Sequence, residues 1–178
     1  TEADFAEVVA RSRAASGAGG GADVDALLAE PHRWAPLRAH DVAIAGDGAA
    51  AIVLAVGDRA REITDHPVWI RGIDHRIESH HPGLRDLTDS PSTRLAASSL
   101  GIDGSALDVA ELMVTASPEE IILRTALGLG SDTIVNPSGG PLAANPVMAT
   151  GLARVVEVAD RIAAGSAGRG VAHASSGA

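Results

Sequence analysis

Residues 133–165, TIVNPSGGPLAANPVMATGLARVVEVADRIAAG, decide how this chain is read. A tight glycine turn, Ser138-Gly139-Gly140, leads within a few residues into a long amphipathic helix that opens at Asn145-Pro146. Met148, Leu152, Val155, Val156, Ala159 and Ile162 recur at helical spacing and predict its buried stripe, and Gly165 stops it. The first N–H groups of a helix have no partner within it and carry partial positive charge, so junctions of this kind suit chemistry. Yet the stretch holds no His, Cys, Lys, Asp or Glu before Glu157. The turn therefore reads either as an anion or oxyanion nest or as a plain glycine loop.

Working outward, strand and helix patterns alternate. Residues 3–14 predict a helix with Phe5, Val8 and Val9 on one face, and residues 17–21, GAGGG, a flexible loop. Residues 23–30 predict a short helix ending at Pro31, and residues 31–47 an irregular connection. The continuous apolar run AAAIVLAV (49–56) predicts a strand buried on both faces, and VWIRGIDHRI (68–77) a second strand. Ser90 and Pro91 open a helix that Gly101 stops. VAELMV (109–114) predicts a third strand, and Ser117-Pro118-Glu119-Glu120 fits a capping box on a helix that Gly128 and Gly130 end. GVAHASSGA (170–178) begins like a strand. This alternation predicts an α/β layered domain, one mixed sheet between helices.

Composition narrows the chemistry. At 178 residues and 46% hydrophobic the chain is long enough for one domain with a core. The net charge of −9 argues against nucleic acid, because phosphate binding needs a basic face. No run approaches the roughly 18 apolar residues of a membrane span. Residues 1–10 carry Glu2, Asp4 and Glu7 where a signal peptide is basic, so the expected location is the cytoplasm. There is no Cys, Lys or Tyr, which removes thiolate nucleophiles, Schiff-base lysines and phenolic acids in one step. Any chemistry has to come from Ser, Thr, His, Asp, Glu or the backbone.

Among seven histidines, His80-His81 with His75 and Asp74 match no common metal spacing and read as a solvated loop, so no metal site is expected. His173 stands apart, in a glycine-flanked segment near the C-terminus. Gly46-Asp47-Gly48 precedes a predicted strand instead of linking strand to helix, and the chain has neither G-x-G-x-x-G nor a Walker lysine, so nucleotide-loop readings fall.

Several stretches together resemble one family. NPSGGPLAANPVMATGLARVVEV (136–158) resembles the thiolase loop and helix written NxxGGxxAxGHPxGATG, and DGAAAIVLA (47–55) resembles the entry to the C-terminal half of thiolases. SPEEIILRTALGLG (117–130) and GRGVAHASSG (168–177) follow in the order that family requires. Upstream, DFAEVVARSRAAS (4–16) and LLAEPHRWAPLRAHD (27–41) look like the segment preceding that half. The likeness is nearest to the lipid-transfer or sterol-carrier-type branch of actinobacterial thiolase-like proteins. It implies a connecting segment over residues 1–46 and a thiolase C-terminal-type α/β domain over residues 47–178.

The resemblance also implies replaced catalytic groups. The histidine of the GHP motif falls at Asn145, the Asn or His of the NEAF/HEAF motif at Met113, and the second cysteine near His173. Met113 cannot donate a hydrogen bond, and Asn145 donates but cannot act as a base. The nucleophilic cysteine of thiolases belongs to the other half, in keeping with the absence of Cys here. The implied site is thus His173 and Asn145 as polar groups facing the acyl group, with Gly139, Gly140 and Met113 lining it. His173 is an acid/base candidate because the ordinary imidazole pKa is about 6.5.

Two readings follow from the resemblance. The chain is an enzyme component that acts on lipid- or steroid-type acyl-CoA, by acyl transfer or by retro-aldol carbon–carbon cleavage, and is inactive alone. Or it is a non-catalytic subunit that dimerises with an active thiolase-like chain or docks an OB-fold acyl-CoA-binding protein. The implied partner is a chain carrying a thiolase N-terminal half, or a second copy. No cofactor is implied, since the CoA thioester is substrate.

Overall fold

The computed structural model describes residues 1–17 and 22–175, so most of the predicted loop at 17–21 and the last three residues of the expected C-terminal strand lie outside the described residues. In chain order the helices and strands are α1 (Glu2–Ala15), α2 (Val24–Ala29), β1 (His32–Trp34), β2 (Leu37–Arg38), α3 (Gly57–Ile63), α4 (Pro91–Ser99), β3 (Val109–Glu111), α5 (Ser117–Leu127), β4 (Ile134–Val135), α6 (Gly140–Ala143), α7 (Thr150–Ala163) and β5 (Gly170–Ala172). The architecture is α/β. β1 and β2 pair antiparallel, and β4-β3-β5 form a parallel three-stranded sheet with β3 in the centre.

Alternation along β3 sorts the two faces of that sheet. Ala110 and Leu112 join Ala97 of α4, Leu123 and Leu127 of α5, and Val135 of β4 in the larger apolar core. Val109 and Glu111 face the other way, toward α7, where Val158 closes on Gly170. A smaller core of Ala6 and Val9 from α1 and Leu27 from α2 is joined to the larger one through Leu142 of α6, which packs against both. The segment from residue 1 to residue 30 is thereby fixed to the sheet domain.

Local signals explain most of the helix ends. Thr1 and Asp4 form a capping box on α1, and Gly128 ends α5 in the left-handed conformation at φ 63°. The expected capping box at Ser117 is shifted, however. Glu119, not Glu120, reaches back, accepting from the backbone N–H of Thr115 at 2.6 Å and Ala116 at 3.2 Å. This leaves Ser117 free to donate to Asp41 at 2.6 Å inside the protein.

Two expected strands do not form. Residues 49–56 and 68–77 have no ladder partner among the described residues, and most of their side chains stand in solvent: Val53 is 90% exposed and Ile73 80%. An apolar run states that a segment can be buried, but a strand also needs a neighbour for its N–H and C=O groups. The expected irregular connection at 31–47 instead contains the β1–β2 ribbon and a short 3-10 turn, Ala39–Asp41.

The last helix also starts later than its sequence signal. Thr150 Oγ1 donates to Asn145 Oδ1 at 2.7 Å, and residues 147–149 form a 3-10 turn with Val147 at φ 27°. Met148, expected in the buried stripe, sits on this turn and is 96% exposed. The buried seam of α7 runs instead through Thr150, Arg154 and Val158, four residues apart.

Candidate functional site

The carboxyl ends of β3 and β5 bring His173 and Met113 side by side. His173 N–H donates to the carbonyl of Glu111 at 2.9 Å, Met113 N–H donates to the carbonyl of His173 at 3.2 Å, and Ser175 N–H approaches Met113 Sδ at 3.4 Å. In parallel sheets ligands bind beyond the carboxyl ends of the strands, which is where this pair lies.

Asn145 reaches the same end of the sheet through the start of α7. Its side chain holds Thr150, and the next residue, Gly151, lies so close to Ala174 that an added Cβ would stand 2.9 Å from the alanine methyl. The Asn145 carbonyl accepts the N–H of Gly46 at 2.9 Å, and Gly48 packs on Pro146, so the 46–48 turn is seated against this loop. Asn145 is buried, its carbonyl side engaged with Thr150.

Gly139 and Gly140 are buried, and their donors are engaged within the loop: Gly139 N–H donates to the carbonyl of Asn136 at 2.8 Å and Gly140 N–H to Ser138 Oγ at 3.1 Å. The donors that an anion nest would offer are therefore already occupied. Both glycines have positive φ, 89° and 61°, and a Cβ on Gly139 would stand 2.8 Å from the Ser12 carbonyl of α1. Their role is to let the loop pass between α1 and the sheet.

A charged cluster fixes that loop to β3. Ser138 donates to Glu111 through both its N–H (3.0 Å) and its hydroxyl (2.8 Å). Arg154 of α7 donates to the same carboxylate and, at 2.7 Å, to Ser138 Oγ. Glu111 is fully buried and Arg154 nearly so. Beyond the loop, Asn136 accepts the N–H of Leu112 at 2.7 Å and approaches Glu120 at 3.4 Å. Burial pushes the Glu120 carboxyl up from its ordinary range, with Arg11 and Arg124 opposing.

His173 departs from its expected electrostatics. Burial lowers its pKa to about 4, so it is neutral at pH 7 and not poised near neutrality as the isolated side chain would be. Its Nε2 lies 3.3 Å from Thr93 Oγ1 of α4, while Nδ1 is shielded from solvent with no hydrogen-bond partner among the described residues. Thr93 carried no signal in the sequence, being eighty positions away. Glu111 and Arg154 did: each is a charge inside an apolar run, the pattern of a buried pair. His80 and His81 are exposed, and no group of three or more His, Asp or Glu side chains among the described residues is arranged to hold a metal ion. No helix among them is long and apolar enough to cross a membrane.

The chain is similar to an acetyl-CoA acetyltransferase of Methanothermobacter thermautotrophicus, at 32% identity over 148 residues. The match supports a thiolase-superfamily relationship. It covers 69% of this chain and 38% of the archaeal protein, so the chain spans well under half the length of that thiolase. No protein-family model matches the chain. Met113 and His173 meet by backbone hydrogen bonding at the carboxyl end of the sheet, and Asn145 adjoins the same segment through Thr150 and Gly151.

Proposed function

We propose that this chain is the C-terminal-half component of a thiolase-type, acyl-CoA-handling complex, completed by a partner that carries an N-terminal half. The observation that carries this reading is the unpartnered apolar surface. Val53, Leu54, Val56, Ile70, Ile73 and Ile77 are all more than half exposed along two segments with strand-type sequence. Surfaces of this extent mark interaction sites. The match covers only 38% of the thiolase relative, and the unmatched remainder offers the missing neighbour.

The local chemistry fits an incomplete site. Met113 supplies no donor, Asn145 supplies an amide N–H₂ but no base, and His173 supplies a neutral imidazole. A nucleophile has to come from the partner, while His173 and Asn145 face the acyl thioester. Acyl transfer and retro-aldol cleavage of a lipid- or steroid-type acyl-CoA both suit this division, and the likeness of the terminal sequence HASSG (173–177) to endings in the lipid-transfer branch favours that branch.

The alternative, a non-catalytic subunit that pairs with an active thiolase-like chain or an OB-fold acyl-CoA-binding protein, is favoured by one feature. Asn145 and the Gly139-Gly140 turn have hydrogen bonds satisfied inside the chain, which suits a structural role. The discriminating experiment assays CoA release by the co-purified complex. The catalytic reading expects Ala at His173 or Asn145 to lower turnover at least tenfold with the complex intact. Unchanged turnover in both variants supports the structural subunit.

A further inference from the structure

The pairing of β3 with β4 ends in a side chain. Asn136 N–H donates to the carbonyl of Ala110 at 2.8 Å, and the backbone then turns away at φ 47°, giving the Asn136 carbonyl to the N–H of Gly139. The N–H of Leu112 is met instead by Asn136 Oδ1, at 2.7 Å. The side-chain oxygen stands in for the strand carbonyl that a parallel ladder would supply next. Leu112 and Asn136 are both buried, so this N–H has no water to turn to.

A backbone N–H only donates, which fixes the amide with its oxygen toward Leu112 and its –NH₂ toward α5. There it meets Glu120 Oε2 at 3.4 Å, and Glu120 is itself 2% exposed. The other carboxylate oxygen accepts from Arg11 of α1, with Arg124 at 3.6 Å. Guanidinium and backbone amide are donors alone, so neither end of the chain Arg11–Glu120–Asn136–Leu112 can reverse.

We propose that Asn136, oriented by Glu120 and Arg11, is a positioning residue that fixes the carboxyl end of β3 and with it Met113. The inference rests on the reading of Met113 as part of the acyl site. Met113 follows Leu112 directly, so the amide that Asn136 captures sets where the Met113 side chain begins. The first helix thereby takes part in shaping the site.

The first test is through-hydrogen-bond NMR coupling between Leu112 ¹⁵N and Asn136 ¹³Cγ in the full wild-type chain at pH 7. The coupling is expected, and its absence overturns the inference without any variant having to fold. The second test exchanges the two partners. Aspartate tolerates a left-handed backbone as asparagine does, so Asn136→Asp chiefly sets two carboxylates against each other. Glu120→Gln has to turn its –NH₂ toward either Arg11 or the asparagine –NH₂. Combined, the introduced glutamine accepts from Arg11 and donates to the introduced aspartate. Each single variant should lower the thermal midpoint and move the Met113 methyl signal, with the 96%-exposed Met148 as an unmoved reference. The double variant should melt above either single and bring the Met113 signal back toward its wild-type position. A double variant that melts below both singles, or a Met113 signal unmoved in both singles, overturns the inference. CoA release by the co-purified complex tests the underlying reading separately. Turnover that falls in the singles and recovers in the double supports it, and a wild-type complex that releases no CoA removes the acyl site while the coupling and methyl results still decide the positioning.

Discussion

Replacing Arg154 by methionine takes the positive partner from a carboxylate that has no contact with solvent. Glu111 is 0% exposed and Arg154 4%, and the guanidinium joins the carboxylate to Ser138 Oγ. Removing one member of a buried ion pair typically destabilises by about 3–5 kcal/mol, because the remaining charge stays uncompensated. Glu111 keeps two donors from Ser138, so the lower end applies, about 3 kcal/mol. With a urea slope of about 2 kcal/mol per molar, the unfolding midpoint should fall by about 1.5 M. Chemical denaturation followed by far-ultraviolet circular dichroism measures it. Glu111→Gln placed on top of Arg154→Met should restore part of the loss, since the stranded charge is then gone. A midpoint shift below about 0.5 M, or strictly additive losses, would refute the claim that this pair fastens the loop to β3.

Two further outcomes follow from the same structure. His173 titrates near 4 when folded and near 6.5 when unfolded, so the unfolded chain binds the extra proton and the stabilisation present above pH 6.5 drains away as pH falls toward 4. Urea midpoints at pH 7.0, 5.5 and 4.5 should therefore drop more steeply for the wild type than for His173→Gln, and parallel curves would contradict the burial. Gly139→Ala meets both a positive φ and the Ser12 carbonyl, whereas Gly128→Ala meets a positive φ alone in open space. Thermal melts should show the Gly139 variant destabilised by about 2–4 kcal/mol and the Gly128 variant by only about 1 kcal/mol, and the reverse order would contradict the packing of α1 on the loop.

Where the sequence was legible, local chemistry decided the outcome. Helices α1, α2, α4 and α5 are marked by caps, prolines and glycines that act within a few residues, and they form close to where those signals lie. β3 is readable because an apolar run in the middle of the chain finds neighbours on both sides. The same kind of run at 49–56 finds none, since strand pairing is decided by distant residues and an apolar pattern names no partner. α7 was misread at both its start and its stripe because polar residues organise it. Thr150 closes onto Asn145 and Arg154 onto Glu111, so the seam that buries is partly charged while Met148 is left outside.

The candidate site divides along the same line. Of the residues expected at the site, the sheet brings Met113 and His173 into backbone contact. The environment of His173 was invisible, because both its burial and its Thr93 partner depend on α4 packing against the end of β5. An imidazole whose ordinary pKa lies near neutrality is neutral at pH 7 once burial lowers that pKa.

The most direct test of the account is recovery of the tagged chain from its native host, with mass spectrometry of any stoichiometric companion. The expected companion carries a thiolase N-terminal half with its nucleophilic cysteine, and the recovered complex releases CoA. Recovery of the chain as a stable lone monomer would contradict it.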